Sequence, residues 1–164
     1  MIQYTTGNVL LADTDAVVNA VNTTGAVGKD IARAFKRTYP SNFAEYEAAC
    51  KAGQVTLGKM LVTQSQALIG PRWIIHFPTS EGSRQTSRLP WIVAGLIDLR
   101  RVIEANAIES IAVPALGCGG GGLAWKEVKD ALAEGLGDMP AVRITIYEPP
   151  DAGGMDKASS GKPG

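Results

Sequence analysis

The chain has 164 residues, 45% of them hydrophobic and 20% charged, which suits one hydrophobic core and gives no reason to expect a second domain. Sixteen Lys and Arg balance sixteen Asp and Glu, so no overall excess of charge draws the chain to nucleic acid or an anionic membrane, and any grip on a phosphate must be local. Cys50 and Cys118 have no C-x-x-C partner and no histidine at ligand spacing, which argues against a disulfide framework and a structural zinc; no metal or cofactor is expected.

The opening stretch, MIQYTTGNVL, has no charged segment followed by a long apolar one, and no later run approaches the length of a bilayer span. The chain reads as cytoplasmic, without a membrane partner, and monomer is the expected state of a neutral domain of this size.

In chain order, apolar runs with β-branched residues fall at residues 9–11, 16–21, 60–63, 73–77, 110–113 and 142–147. They read as short, mostly buried strands. Helical patterns lie between them. One covers residues 31–38, and a second is opened by Asn42 and Glu45 as a capping box. A third covers 90–105, where Ile92, Leu96, Leu99 and Ile103 follow 4-3-4 spacing and Pro90 suits a first turn. The last covers 124–134, ended by Gly135 or Gly137 with Pro140 beyond. This alternation implies a largely parallel sheet covered on both faces. Residues 151–164 carry Met155 as their only large apolar side chain and read as a disordered C-terminal tail behind a domain of residues 1–150.

The strongest chemical signal is Gly117-Cys118-Gly119-Gly120-Gly121-Gly122-Leu123, placed between a strand that leaves through Pro114-Ala115-Leu116 and a helix beginning near Trp125. Dense glycine lets backbone N–H groups close on an anion, and the following helix adds its dipole, so the loop is a candidate diphosphate cradle. A flexible surface loop is the plainer alternative. The P-loop is excluded, since Lys126 comes too late and no Ser or Thr follows it.

A second strand-to-helix loop follows Asn19 and Asn22, running through Thr23, Thr24, Gly25, Ala26, Val27, Gly28, Lys29 and Asp30. An amide at a strand end suits a ribose hydroxyl or an attacking water, and serves equally as a turn former. The two loops together could hold a diphosphate from both sides.

At these residues the sequence resembles the macrodomain family, and within it the DarG-type antitoxin macrodomains and related ADP-ribosyl glycohydrolases. The resemblance runs through Gly7 to Leu10, Val18 to Asn22, Gly25 to Ile31, Trp73 to Thr79, Pro114 to Trp125 and Tyr147 to Pro149. It implies a three-layer α/β/α fold with a mixed, largely parallel central sheet. It also implies a ligand path for ADP-ribose. Gly7, Asn8 and Val9 stand near the adenine, with Tyr147 on that side or in the core. Ala26, Val27, Gly28, Lys29, Asp30 and Ile31 in the first loop, and Pro114, Leu116, Gly117, Cys118, Gly119, Gly120, Gly121, Gly122 and Leu123 in the second, surround the diphosphate. Asn22 stands at the distal ribose, and Asn19 and Thr79 are further ligand-binding candidates. Partners so implied are ADP-ribose, ADP-ribosylated protein or DNA, and a cognate ADP-ribosyltransferase.

This chain departs from the family pattern at several places, among them Asp30 where the antitoxins usually have Gly and His76 where they have Asn. Antitoxin-type relatives carry a lysine directly after the Phe-Pro-Thr segment, where Ser80 stands here, and a serine cannot form a Schiff base with an opened ribose. The acidic residue of a protein-deglutamylating relative is replaced by Gly120-Gly121. His76, the only histidine, is a minor candidate for a base and equally a core residue.

Two functions follow. One is a hydrolase that removes mono-ADP-ribose from protein carboxylates or DNA thymidine by a lysine-independent, substrate-assisted route, with Asn22 orienting the ribose and Ser80 holding the water. The other is a non-catalytic reader of ADP-ribose. The stretch from Ser83 to Arg88 could touch a DNA backbone, or be a solvated loop.

Overall fold

In the computed structural model, which describes residues 1–28, 30–82 and 85–150, six strands form one sheet in the order β1-β6-β5-β2-β4-β3. These are β1 (Ile2–Thr5), β2 (Ala16–Asn22), β3 (Leu61–Gln64), β4 (Trp73–Ser80), β5 (Ser110–Val113) and β6 (Arg143–Tyr147). All neighbours pair parallel except β3, which runs antiparallel to β4 at one edge. The sheet is mixed and largely parallel. The reading of 151–164 as a tail lies outside the described residues.

Alternation along the central strands assigns their two faces. Ala16 and Val18 of β2, Ile75 and Phe77 of β4 and Ile111 and Val113 of β5 pack against α3 (Leu89–Ala105) and α4 (Trp125–Leu136). On the other face Val17, Ile74 and Ala112 meet Phe35 of α1 (Asp30–Thr38), and Val21 meets Phe43 and Tyr46 of α2 (Pro40–Lys51). Strands covered on both faces must be apolar throughout, which is why β5 reads as four buried residues in a row. Helix α3 lies close to the sheet because residue 95 is glycine: a Cβ there would stand 2.3 Å from Cζ of Phe77.

The expected helices stand within a residue or two of their places. Helix α4 runs on through Gly135 and stops at Gly137. Two expectations are corrected, and one strand is added. Residues 9–11 form a 3-10 turn, capped by Asn8, whose Oδ1 accepts from the Leu10 N–H at 3.0 Å. The edge strand β1 lay unread in the N-terminal stretch, because its burial pattern is weak and its only partner, β6, is at the far end of the chain. Asn42 does not open α2, which starts at Pro40; its buried amide instead donates to Thr63 Oγ1 at 2.8 Å and to the Gln64 carbonyl at 2.9 Å, tying α2 to β3.

Candidate functional site

Strands β2, β4 and β5 are parallel neighbours, so their C-terminal ends open on the same side of the sheet. That is where ligands gather in open α/β sheets. The loops after β2 and β5 and the segment leading from β4 to α3 enclose a cleft of about 490 Å³ there.

Asn22 organises the first loop. Its Oδ1 accepts from Thr24 N at 3.0 Å, Thr24 Oγ1 at 2.8 Å and Gly25 N at 3.1 Å, and its Nδ2 donates to the Ala26 carbonyl at 2.9 Å. The buried Tyr46 hydroxyl donates to the Asn22 carbonyl at 2.6 Å. The loop is thus wound around one amide, and of the two hydrogens on Nδ2 only one has a partner among the described residues, leaving one donor for a ligand. A register shift between Val21 and Asn22, opposite Pro78 and Ser80, ends the regular ladder at this point.

The second loop is closed by Leu123 N donating to the Gly117 carbonyl at 3.0 Å and by Gly122 N donating to that of Gly119 at 3.2 Å. Gly117 (φ 73°) and Gly122 (φ 78°) adopt the left-handed conformation that disfavours a side chain. Among the described residues, the N–H groups of Gly119, Gly120 and Gly121 have no acceptor. A run of unpaired backbone donors in a loop that lines a cleft and leads into a helix can hold an anion.

The walls between the loops are nearly uncharged. Thr79 donates to the Val21 carbonyl at 3.3 Å, and the buried Ser80 donates to that of Gly82 at 2.9 Å; both line the cleft. None of the described residues lining the cleft is an acid, a base or a thiol. His76 is excluded as a base by its setting. It is 1% exposed, stacked on Tyr46 at 5.4 Å between ring centroids and bonded to Asn19 Nδ2 and Thr63 Oγ1, and burial pushes its imidazole down to about 4. Burial likewise pushes the Cys118 thiol up to about 11, so it is not a thiolate near neutral pH.

Of the residues singled out in the sequence, Asn22, Gly28, Ile31, Thr79, Ser80 and Pro114 line the cleft, as do Gly117, Gly119, Gly120 and Gly121. Others support it from behind. Asn19 lies in the His76 cluster, Leu116 is fully buried, and Cys118 and Leu123 pack on the core. Val27 rests on the Val21, Phe43 and Tyr46 cluster, Ala26 lends its carbonyl to Asn22, and Gly122 is an exposed turn. Gly7 and Asn8 are exposed at the β1 end of the sheet, where Val9 and Tyr147 share an apolar cluster with Phe35. Asp30 opens α1, and Lys29 lies outside the described residues. Sequence reading missed Phe35, which lines the cleft from α1, and took Ser87, which reaches it from the residues before α3, only as part of the DNA-facing or solvated stretch from Ser83 to Arg88, of which Ser83 and Arg84 lie outside the described residues. A periodicity argument assigns Phe35 only to the core, and the signal at Ser87 was lost among polar neighbours.

One sheet covered by helices on both faces, with two glycine-rich loops over the ends of its central strands, defines the class. The Macro domain family model matches residues 18–132, and the chain belongs to that family. Among relatives, it is 51% identical over 149 residues to a DNA ADP-ribosyl glycohydrolase of Mycobacterium tuberculosis, covering 91% of this chain and 42% of that protein. The chain thus spans about two fifths of that relative's length. Among solved structures it is similar to the macrodomain of Mycobacterium tuberculosis DarG (TM-score 0.88, 51% identity, covering 91% of this chain and 98% of that one). It is also similar to Thermosipho africanus DarTG in complex with ADP-ribose (TM-score 0.84, 27% identity, 92% and 42%).

Proposed function

We propose that this macrodomain binds ADP-ribose in the cleft and hydrolyses it from DNA bases, with thymidine as the attachment. The observation that carries the reading is the pair of loops meeting over one uncharged cleft, one wound on Asn22 and one offering three unpaired N–H groups. The name of the 51% identical relative favours DNA over protein carboxylates. The Thermosipho africanus protein, a transferase and glycohydrolase in one chain, supports a cognate ADP-ribosyltransferase as partner. A monomer acting in the cytoplasm completes the reading; no helix among the described residues is long and apolar enough to cross a membrane.

Chemically, the bond from C1″ of the distal ribose to the base nitrogen breaks with its electron pair leaving on the base. A water oxygen bonds to C1″, and the water's proton ends on the base. Such a cut passes through an oxocarbenium-like state, which placement and charge stabilise more than a strong nucleophile does. The free Nδ2 hydrogen of Asn22 meets a hydroxyl of the ribose, and the Ser80 oxygen accepts from the attacking water while its own proton stays on Gly82. With no titratable side chain among the described lining residues, the charge that offsets the oxocarbenium comes from the substrate's own diphosphate.

Ser80 in place of a lysine favours the second reading, a domain that binds ADP-ribose and cuts nothing. A time course of ADP-ribose release by mass spectrometry, from a thymidine-modified oligonucleotide beside a carboxylate-modified protein, separates the two. Release from the oligonucleotide that falls with Asn22→Ala supports the hydrolase. Binding of ADP-ribose with no release from either substrate, and release on introducing Ser80→Lys, would establish the reader.

A further inference from the structure

Ser87 stands two residues before α3, lines the cleft and is 6% exposed. Its backbone N–H donates to the Gly121 carbonyl at 2.9 Å, strapping the β4-to-α3 segment to the second glycine loop. Its hydroxyl is different: Oγ is buried and has no hydrogen-bond partner among the described residues. A serine hydroxyl carries one donor and two lone pairs, and leaving them unused in a dry place opposes folding. Native proteins keep few such groups, and each calls for a reason.

The surroundings of Oγ supply one. A Cβ on Gly121 would stand 2.5 Å from Ser87 Oγ, and one on Gly117 would stand 3.3 Å from it. Gly121 therefore leaves the hydroxyl no room for a side chain beside it, and alanine there would displace it, whereas alanine at Gly117 would only crowd it. The same loop carries the unpaired N–H groups of Gly119, Gly120 and Gly121. A buried hydroxyl without a partner among the described residues thus meets, at Gly121, the loop that carries three further donors without acceptors. All four are answered by one kind of ligand, an anion with several oxygens.

Resting on the reading that the cleft takes ADP-ribose, we propose that Ser87 is a ligand-binding residue whose hydroxyl donates to a phosphate oxygen of the diphosphate held by the second glycine loop. In the free protein the loop seals this hydroxyl. On binding, a phosphate oxygen takes the place of the glycine Cα atoms as its neighbour.

The proposal has a signature that a merely structural serine lacks. Removing an unsatisfied hydroxyl should leave the free protein as stable as before or more so, while weakening the ligand. Calorimetry with ADP-ribose and thermal unfolding in its absence would be measured on the wild type, Ser87→Ala and Ser87→Cys. The expected result is about tenfold or greater loss of affinity in Ser87→Ala, an unfolding temperature no lower than that of the wild type, and no recovery by the weakly donating thiol of Ser87→Cys. Unchanged affinity in Ser87→Ala would overturn the proposal. So would a lower unfolding temperature accompanying the loss, because the serine would then be a strap for the loop. A wild type that does not bind ADP-ribose would remove the ligand reading itself, which is a separate result from failure at Ser87.

Discussion

A methyl group added at Gly121 probes the second loop directly. The new Cβ would stand 2.5 Å from the Gly117 carbonyl oxygen and 2.5 Å from Ser87 Oγ, where a carbon-to-oxygen contact needs about 3.3 Å. The serine side chain can rotate away. The Gly117 carbonyl cannot, because it accepts from Leu123 N and closes the loop. Residue 121 must therefore move outward by about 0.8 Å, the gap to that contact distance. Its carbonyl, now 2.9 Å from Ser87 N, moves with it beyond hydrogen-bonding range. One lost bond and some residual crowding come to about 1–3 kcal/mol. Gly119 and Gly120 are exposed, so the free loop can relax without opening the core. The ligand must then restore the loop, and the cost falls on affinity: about fivefold to a hundredfold at 1.4 kcal/mol per factor of ten. Calorimetry with ADP-ribose measures it. Gly119→Ala is the stability control, since a Cβ there meets nothing within 4 Å and its unfolding temperature should match the wild type. Gly121→Ala binding within about twofold of the wild type would refute the reasoning that this loop grips through its fixed geometry.

Three further outcomes are expected. Tyr46→Phe removes the donor that meets the Asn22 carbonyl at 2.6 Å in a buried place; it should lower stability by about 1–3 kcal/mol, seen as a fall in unfolding temperature, and weaken ADP-ribose binding through the first loop. His76 titrates at about 4 when folded against its ordinary 6.5, so the unfolded chain binds the extra proton between those values. Stability is whole above the ordinary value and falls with acid, by about 2 kcal/mol from about pH 7 to about pH 5; urea unfolding should show this slope, and His76→Asn should flatten it. With no titratable side chain among the described lining residues, the kcat/KM for ADP-ribose release should be flat from about pH 6 to about pH 8. A bell-shaped profile measured in that range would call for a protein acid or base.

The order of strands and helices was legible because it rests on local patterns: apolar runs for strands covered on both faces, and 4-3-4 spacing for α3. Both glycine loops were legible too, since glycine density between a strand and a helix is a local signal with a backbone consequence. What failed was decided by a neighbouring cap in one case and by distant partners in the other two. Residues 9–11 look like a strand, yet with the Asn8 cap they close into a turn. β1 exists because β6 offers it an edge from the other end of the chain. Asn42 looks like a cap and is a buried tie to β3.

The same division holds at the site. By itself the sequence determined the fold class, the two glycine-rich strand-to-helix loops and the family resemblance, because each depends on residue types at short spacing. Only the tertiary structure decided that Tyr46 anchors Asn22 from α2, that His76 is a neutral core residue stacked on Tyr46, and that Ser87 brings a hydroxyl unpartnered among the described residues to the glycine loop. Those facts concern burial and hydrogen-bond satisfaction, which depend on atoms that folding brings together from far apart in the chain.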